Sequence, residues 1–415
     1  GAVKIISPMD GTPAARARLQ PGDYITAIDG QSILGLSLND AVKQMRGAVG
    51  APITLTIARE KTDPFTVKLT REVIDIKSVT HRLIGDYGYL RLAGFDEKTG
   101  PGTAAAIKDM ESKDPHLKGL VLDLRNNPGG LVDQAVDVAG DFLNGGEVVS
   151  QRGRDARDIT RYNAKSQGDM LHGMPVVVLI NGGSASASEI VAGAMKDRHR
   201  AAIIGLTSFG KGSVQTVIPL HGGADGALKL TTDRYYTPSG GSIQKTGIAP
   251  DLFVAETKRQ AEGVFDAAMQ YTEATFHNAL DAQEGKTRFL PTSIEIPAPP
   301  PGLQKASLKS DADEDEPPAA KAATGKPDDA EDFQLQRALA VLRYGSVQAA
   351  EQASPTGVYT RPTPKFQTAQ ATRTIAAPGA ASQVAKTKPA TDTAPAEQVG
   401  APSKAAPLGG APLRP

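Results

Sequence analysis

The spacing of apolar positions changes character along the chain. Over residues 1–73 it runs with a period of two in short segments. Val3–Ile6, Tyr24–Ile28, Ile53–Ile57 and Phe65–Leu69 read as half-buried strands. Turn residues separate them, at Gln20-Pro-Gly-Asp23 and Asp29-Gly30. Two helices interrupt the strands. Thr12 caps the first and Pro13 takes its first helical position. Leu38, Val42 and Met45 lie on one face of the second, which Ser37 or Asn39 caps. The pattern predicts a small β-rich domain.

Over residues 74–255 the strands lengthen into nearly continuous apolar runs and alternate with helices. Tyr87–Leu92, Gly119–Leu124, Met174–Ile180 and Ala201–Leu206 are the predicted strands. Such runs suit strands buried on both faces of a parallel sheet. Helices are predicted over Thr103–Lys113, through Val132, Val136, Ala139 and Leu143, and over Ser186–Lys196. Val214–Leu220 and Leu228–Tyr236 are extended. This order predicts an α/β core. Residues 256–345 form a C-terminal region with helices over 256–280 and Glu331–Arg343. In the latter, Leu335, Leu339 and Leu342 align. A Pro-rich and acidic linker over 281–327 lies between them. Residues 346–415 are of low complexity and expected to be disordered, since too few apolar side chains offset the ordering entropy.

Composition narrows the chemistry. Lys+Arg and Asp+Glu balance at 46 each, so no global charge argues for nucleic acid or a membrane surface, and no nucleic acid is expected. Cysteine is absent, which excludes a thiol nucleophile, a cysteine zinc site and disulfides. No apolar run reaches the roughly 18 residues of a spanning helix. No signal peptide is visible, and Gly1 reads as already inside the first domain. The six histidines are scattered, so neither a metal nor another cofactor is expected.

A nucleophile is offered by Asn181-Gly-Gly-Ser-Ala-Ser-Ala-Ser-Glu-Ile190. Its serines follow a buried strand and a Gly182-Gly183 turn, where a helix begins. Free backbone N–H groups and the helix dipole favour developing negative charge there. Spacing does not choose among Ser184, Ser186 and Ser188. Downstream, Lys211 sits in Phe209-Gly-Lys-Gly212, with Gln215 four residues on. A lysine serves as general base only when neutral, so its pKa must fall from near 10.4 toward about 7–8. Val178, Ile180, Ile204 and Phe209 are the apolar neighbours expected around this loop. Gln215 can orient the amine. Taken singly, the serines also suit helix caps and the lysine a solvated charge. Asp123 and Arg125 are expected to fix the Asn126-Asn127-Pro128 turn by hydrogen bonds rather than to do chemistry.

Two resemblances sharpen this. Ser7-Pro-Met-Asp-Gly-Thr-Pro-Ala14, Leu19–Gly30 and Leu38-Asn-Asp-Ala-Val42 resemble a PDZ domain, one N-terminally truncated because the strand and carboxylate-binding loop that normally come first would precede Gly1. Ser184–Glu189, Phe209–Gln215, Leu122–Gly130 and Tyr236-Thr-Pro-Ser-Gly-Gly241 resemble the carboxy-terminal processing peptidases, or tail-specific proteases. Gln334–Leu339 resembles their C-terminal end. The resemblance implies a crotonase-like α/β peptidase core over residues 74–255 behind a PDZ domain over 1–73. It also implies Ser186 as nucleophile, Lys211 as base and Gln215 as its orienter. Backbone N–H groups of Gly130 and Ala187 then form the oxyanion hole. Further implications are a PDZ groove near Leu38 and Val42, substrates recognised at their C-termini, gating by the PDZ domain, and a bacterial periplasmic location. Some members use an adaptor protein or self-assemble. Two rivals stand beside this reading. One is an acyl-CoA enzyme on a crotonase-like fold, although the paired carboxylates it needs are missing beside Gly130. The other is a non-enzymatic PDZ scaffold.

Overall fold

The computed structural model describes residues 2–298 and 331–361, apart from 6, 7, 10, 21, 60, 61, 75, 76, 156, 166, 167, 267–271, 284, 285 and 355. The N-terminal part comprises β1 (Val3–Lys4), α1 (Pro13–Arg16), β2 (Tyr24–Ile28), β3 (Gln31–Ser32), α2 (Leu38–Met45), β4 (Pro52–Ala58) and β5 (Phe65–Thr70). Its five-stranded sheet runs β1-β2-β4-β5, with β3 paired to β2. Ile25, Ile28, Ile53, Leu55 and Ile57 form its core. Both caps fall where the sequence puts them: Ala15 N donates to Thr12 Oγ1 and Asp40 N to Ser37 Oγ.

The larger part runs β6 (Val79–Ile84), β7 (Tyr87–Leu92), α3 (Thr99–Lys113), β8 (Gly119–Asp123), α4 (Val132–Gly140), β9 (Glu147–Arg152), β10 (Ile159–Asn163), β11 (Val176–Ile180), α5 (Ala187–Asp197), β12 (Ala201–Gly205), β13 (Ser213–Pro219), β14 (Ala227–Tyr236) and β15 (Leu252–Phe253). A six-stranded sheet has the order β15-β12-β11-β8-β7-β6. All its pairings are parallel except that of the edge hairpin β6–β7. A second sheet, β10-β9-β14-β13, is antiparallel.

Side chains of the central strands alternate between two apolar layers. Leu120, Leu122, Val176, Val178, Ile180 and Ile203 face α3, α4 and α5. Val121, Val177, Leu179 and Ile204 face the C-terminal helix. Register then aligns the strand ends, since Val178 pairs with both Leu122 and Ile203. The loops that follow β8, β11 and β12 therefore emerge side by side at the carboxyl edge of the sheet, where open α/β sheets place their sites.

Several predicted boundaries shift. Helix α3 starts at Thr99, one turn before Thr103, because Pro101 falls in the first turn, where a missing N–H costs no hydrogen bond. The helix expected over 256–280 is α6 (Lys258–Phe265) followed by a single 3-10 turn at Glu273–Thr275. Part of the expected linker is a strand, β16 (Ser293–Ile296); its residues 299–327 lie outside the described residues. The tail expected to be disordered from 346 begins with structure. After α7 (Phe333–Tyr344) come α8 (Val347–Ala353) and β17 (Gly357–Thr360), which pairs with β16. Residues 362–415 lie outside the described residues. Arg337 explains this order: it is buried, donates to Glu295 on β16 and to Ser354 O after α8, and so joins all three pieces.

Candidate active site

The loop after β11 separates its three serines by burial. Ser184 and Ser188 are fully buried and their hydroxyls are committed. Ser184 Oγ donates to Leu124 O at 2.8 Å and Ser188 Oγ to Asn127 O at 2.9 Å. Ser186 is half-buried at the N-cap of α5, where it forms a capping box with Glu189. Its φ of 54° is a left-handed value that a non-glycine residue adopts at a cost of about 1–3 kcal/mol. Neighbours enforce it. Ser186 N donates to Glu189 Oε2 at 2.8 Å, while Ser186 O accepts from Glu189 N and Ile190 N.

The loop after β8 wraps this serine. Asn127 O accepts from Ala185 N at 3.0 Å, and Asn127 Oδ1 accepts from Gly129 N at 2.9 Å. A Cβ on Gly129 would lie 2.8 Å from Ser186 Cβ and 2.7 Å from Ala185 O. At Gly130, with φ of 150°, a Cβ would overlap the Phe95 carbonyl. Only glycine fits either position. Among the described residues, neither Gly130 N nor Ala187 N donates a hydrogen bond. As expected, Asp123 and Arg125 brace the base of this turn. Burial pushes the Asp123 carboxyl up, but the charges of Arg125 and Arg91 hold it well below the usual carboxylate range.

The loop after β12 is fastened to the serine by Glu189. Its carboxyl group is fully buried and accepts four hydrogen bonds. Ser208 Oγ and Gly210 N donate to Oε1, and Lys211 N joins Ser186 N on Oε2 at 2.8 Å each. Burial pushes this carboxyl up to about 7, against the pull of those four bonds. One side chain thus ties the backbone of Ser186 to the backbone of Lys211. Beside it, Arg288 donates to Thr207 O at 3.0 Å, and burial lowers its guanidinium to about 10.

The side chains of Ser186 and Lys211 are not joined. Lys211 is half-buried, and among the described residues no hydrogen bond links its Nζ to Ser186 Oγ or to Gln215. Gln215 is exposed on β13. Leu38 and Val42 lie one turn apart on α2, exposed and half-buried respectively. Sequence reasoning missed Glu189 and Arg288. The Ser186-x-x-Glu189 spacing of a capping box was the available signal for the first. The second falls in a stretch read as linker.

The family model for peptidase family S41 matches residues 86–254, and that for a PDZ domain matches residues 4–59. A carboxy-terminal-processing protease of Bartonella bacilliformis is 53% identical over 296 residues, covering 70% of this chain and 68% of that protein. The chain belongs to peptidase family S41. A probable CtpA-like serine protease of Staphylococcus epidermidis is 37% identical over 265 residues, covering 63% of this chain and 52% of that one. The solved photosystem II D1 C-terminal processing protease superposes with a TM-score of 0.52 at 34% identity, covering 60% of this chain and 67% of the other. The fold is therefore that of an S41 peptidase with an N-terminal PDZ domain. Membership makes the chain a serine-type peptidase acting on protein, and it sets aside the acyl-CoA and scaffold alternatives. Among the described residues no helix is long and apolar enough to cross a membrane.

Proposed function

We propose that this S41 peptidase is an endopeptidase working through a Ser186–Lys211 dyad. Lys211 takes the hydroxyl proton as Ser186 Oγ bonds to the scissile carbonyl carbon. The resulting oxyanion accepts from Gly130 N–H and Ala187 N–H. Collapse breaks the C–N bond, and the amine leaves with the proton held by Lys211. Water, deprotonated by the same lysine, then hydrolyses the acyl-enzyme. Gln215 orients the amine once Lys211 has turned toward the serine. The observation that carries this reading is the Glu189 carboxyl, which fastens Ser186 and Lys211 beside two undonated N–H groups.

Recognition of substrate C-termini is assigned to the groove beside Leu38 and Val42, where an extended tail adds as a strand. The names of the Bartonella and photosystem relatives support processing at C-termini. A periplasmic location, an adaptor protein and self-assembly belong to the same proposal. Ser186→Ala and Lys211→Ala, made singly, test the dyad on an unstructured protein substrate. Each is expected to abolish cleavage, and cleavage like the parent's by both refutes the assignment.

A further inference from the structure

We infer that Asp332, at the start of the C-terminal helix, is a positioning residue for the turn that carries Gly130, acting through Arg125. The inference rests on the proposed oxyanion role of Gly130. Arg125 follows β8 and opens the turn, with its side chain 8% exposed against an Asp123 side chain at 0%. Two carboxylates hold the guanidinium. Nε and Nη2 donate to Asp123 at 3.0 and 2.6 Å. Nη1 and Nη2 donate to Asp332 at 2.8 and 2.6 Å, and Nη1 also reaches Gln334 Oε1 at 3.1 Å.

Asp123 cannot take over the far side of the fork. It already accepts from Tyr89 OH at 2.8 Å and pairs with Arg91 at 3.2 Å. Glu256 stands 3.5 Å from Nη1, a weaker partner than Asp332. The second carboxylate thus comes from a residue 207 positions away in the chain.

What Arg125 fixes is the backbone that follows. Asn126 has φ of 55° and donates its N–H to Asn181 Oδ1 at 2.9 Å. Asn127 then anchors Ala185 and Ser188, and Gly129 lies against Ser186. Every link between Arg125 and the serine loop is a hydrogen bond or a close packing contact, so a swing of the arginine is transmitted to the Gly130 N–H. Docking of α7 does not itself require the ion pair, because Leu335, Leu339 and Leu342 already bury that helix against the sheet. Buried ion pairs seldom stabilise a fold more than apolar side chains would. Fixing the position of Arg125 accounts for this one.

Asp332 has two duties that substitution can separate. Its Oδ1 also caps α7 by accepting from Leu335 N at 3.0 Å. Asp332→Asn keeps a good cap but turns an amide N–H₂ toward Arg125. Asp332→Glu restores the charge. In the 415-residue chain acting on an unstructured protein, Asp332→Asn is expected to lower kcat about 10-fold or more with KM unchanged, a displaced rather than deleted oxyanion donor. Asp332→Glu should regain part of that loss. Hydrogen exchange of residues 124–131 should quicken in Asp332→Asn while that of β11 stays constant. The inference is overturned by a kcat equal to the parent's, by a loss that only follows the fraction unfolded, or by a change in KM alone. Unchanged exchange of the turn overturns it whether or not the chain cleaves. Ser186→Ala, run alongside, reports on the dyad separately: if it stays active, the dyad falls while the exchange result still decides the coupling.

Discussion

Glu189→Gln is the substitution whose effect the geometry specifies most closely. The parent carboxylate accepts four donors, two on each oxygen. Glutamine keeps one accepting oxygen and replaces the other with a donor. If the amide nitrogen takes the place of Oε2, the N–H groups of Ser186 and Lys211 both lose their acceptor. If it takes the place of Oε1, the Ser208 hydroxyl, which already accepts from Ile248 N, can rotate to accept from the amide as well, and Gly210 N is the backbone N–H left orphaned. The second orientation is preferred, and one orphaned buried N–H costs about 1–3 kcal/mol.

A pH term adds to that cost. Burial raises Glu189 from 4.5 to about 7, so between those values the folded chain holds a proton that the unfolded chain has lost. The stability due to this group is full below pH 4.5 and is lost as pH rises to about 7. Glutamine has no such term. The gap between parent and variant is therefore expected to be larger at pH 5 than at pH 8, by about 2–3 kcal/mol. Urea unfolding followed by circular dichroism at both pH values measures it. A gap of the same size at pH 5 and pH 8 would refute the argument that burial governs this carboxyl.

Gly130→Ala places a Cβ on the Phe95 carbonyl at φ of 150°, so the turn must shift; on the proposed role of Gly130, kcat is expected to fall about 100-fold, the scale of a lost oxyanion donor. Gly263→Ala, in open space on α6, is the control, and steady-state kinetics that match for the two variants would sink the claim. Asp141 has a buried Oδ2 with no partner among the described residues, and burial followed by the charge of Asp137 pushes it up to about 7. Asp141→Asn is therefore expected to raise Tm at pH 8, with the gain shrinking toward pH 5 as the parent carboxyl takes up its proton. A lower Tm at pH 8 would contradict it.

What the sequence made legible follows the range over which its signals act. β8, β11 and β12 were readable because each is a continuous apolar run, and the parallel register then sets their loops in line. The three serines and Lys211 stood out as candidates because they lie in short glycine-containing segments next to such strands, whereas the choice of Ser186 and the role of Gly130 came only from the family resemblance. The neighbours that organise them were not readable. Glu189 shows its local capping spacing, but its reach to Ser208, Gly210 and Lys211 is a contact across about twenty residues. β16 and β17 alternate over only four residues each, too few to stand out from their polar surroundings, and neither is a sheet until the other arrives. Arg337 and Glu295 bring them together, and no pattern along the chain announces that pair.

The contrast between backbone and side chains at the site limits how its activity is controlled. Glu189 and the Asn127 bonds hold the backbones of Ser186, Lys211 and Gly129 in place. The Ser186 hydroxyl and Lys211 amine remain unjoined. On the proposed roles, closing the dyad then requires ordering a lysine side chain, not rebuilding a loop. That ordering costs up to about 2 kcal/mol. A bound tail or adaptor would have to favour the closed state by a similar amount, a differential affinity of about 30-fold. A preference of that size lies within reach of a few contacts at Leu38 and Val42. A switch that had to reform the turn around Gly130 would need far more.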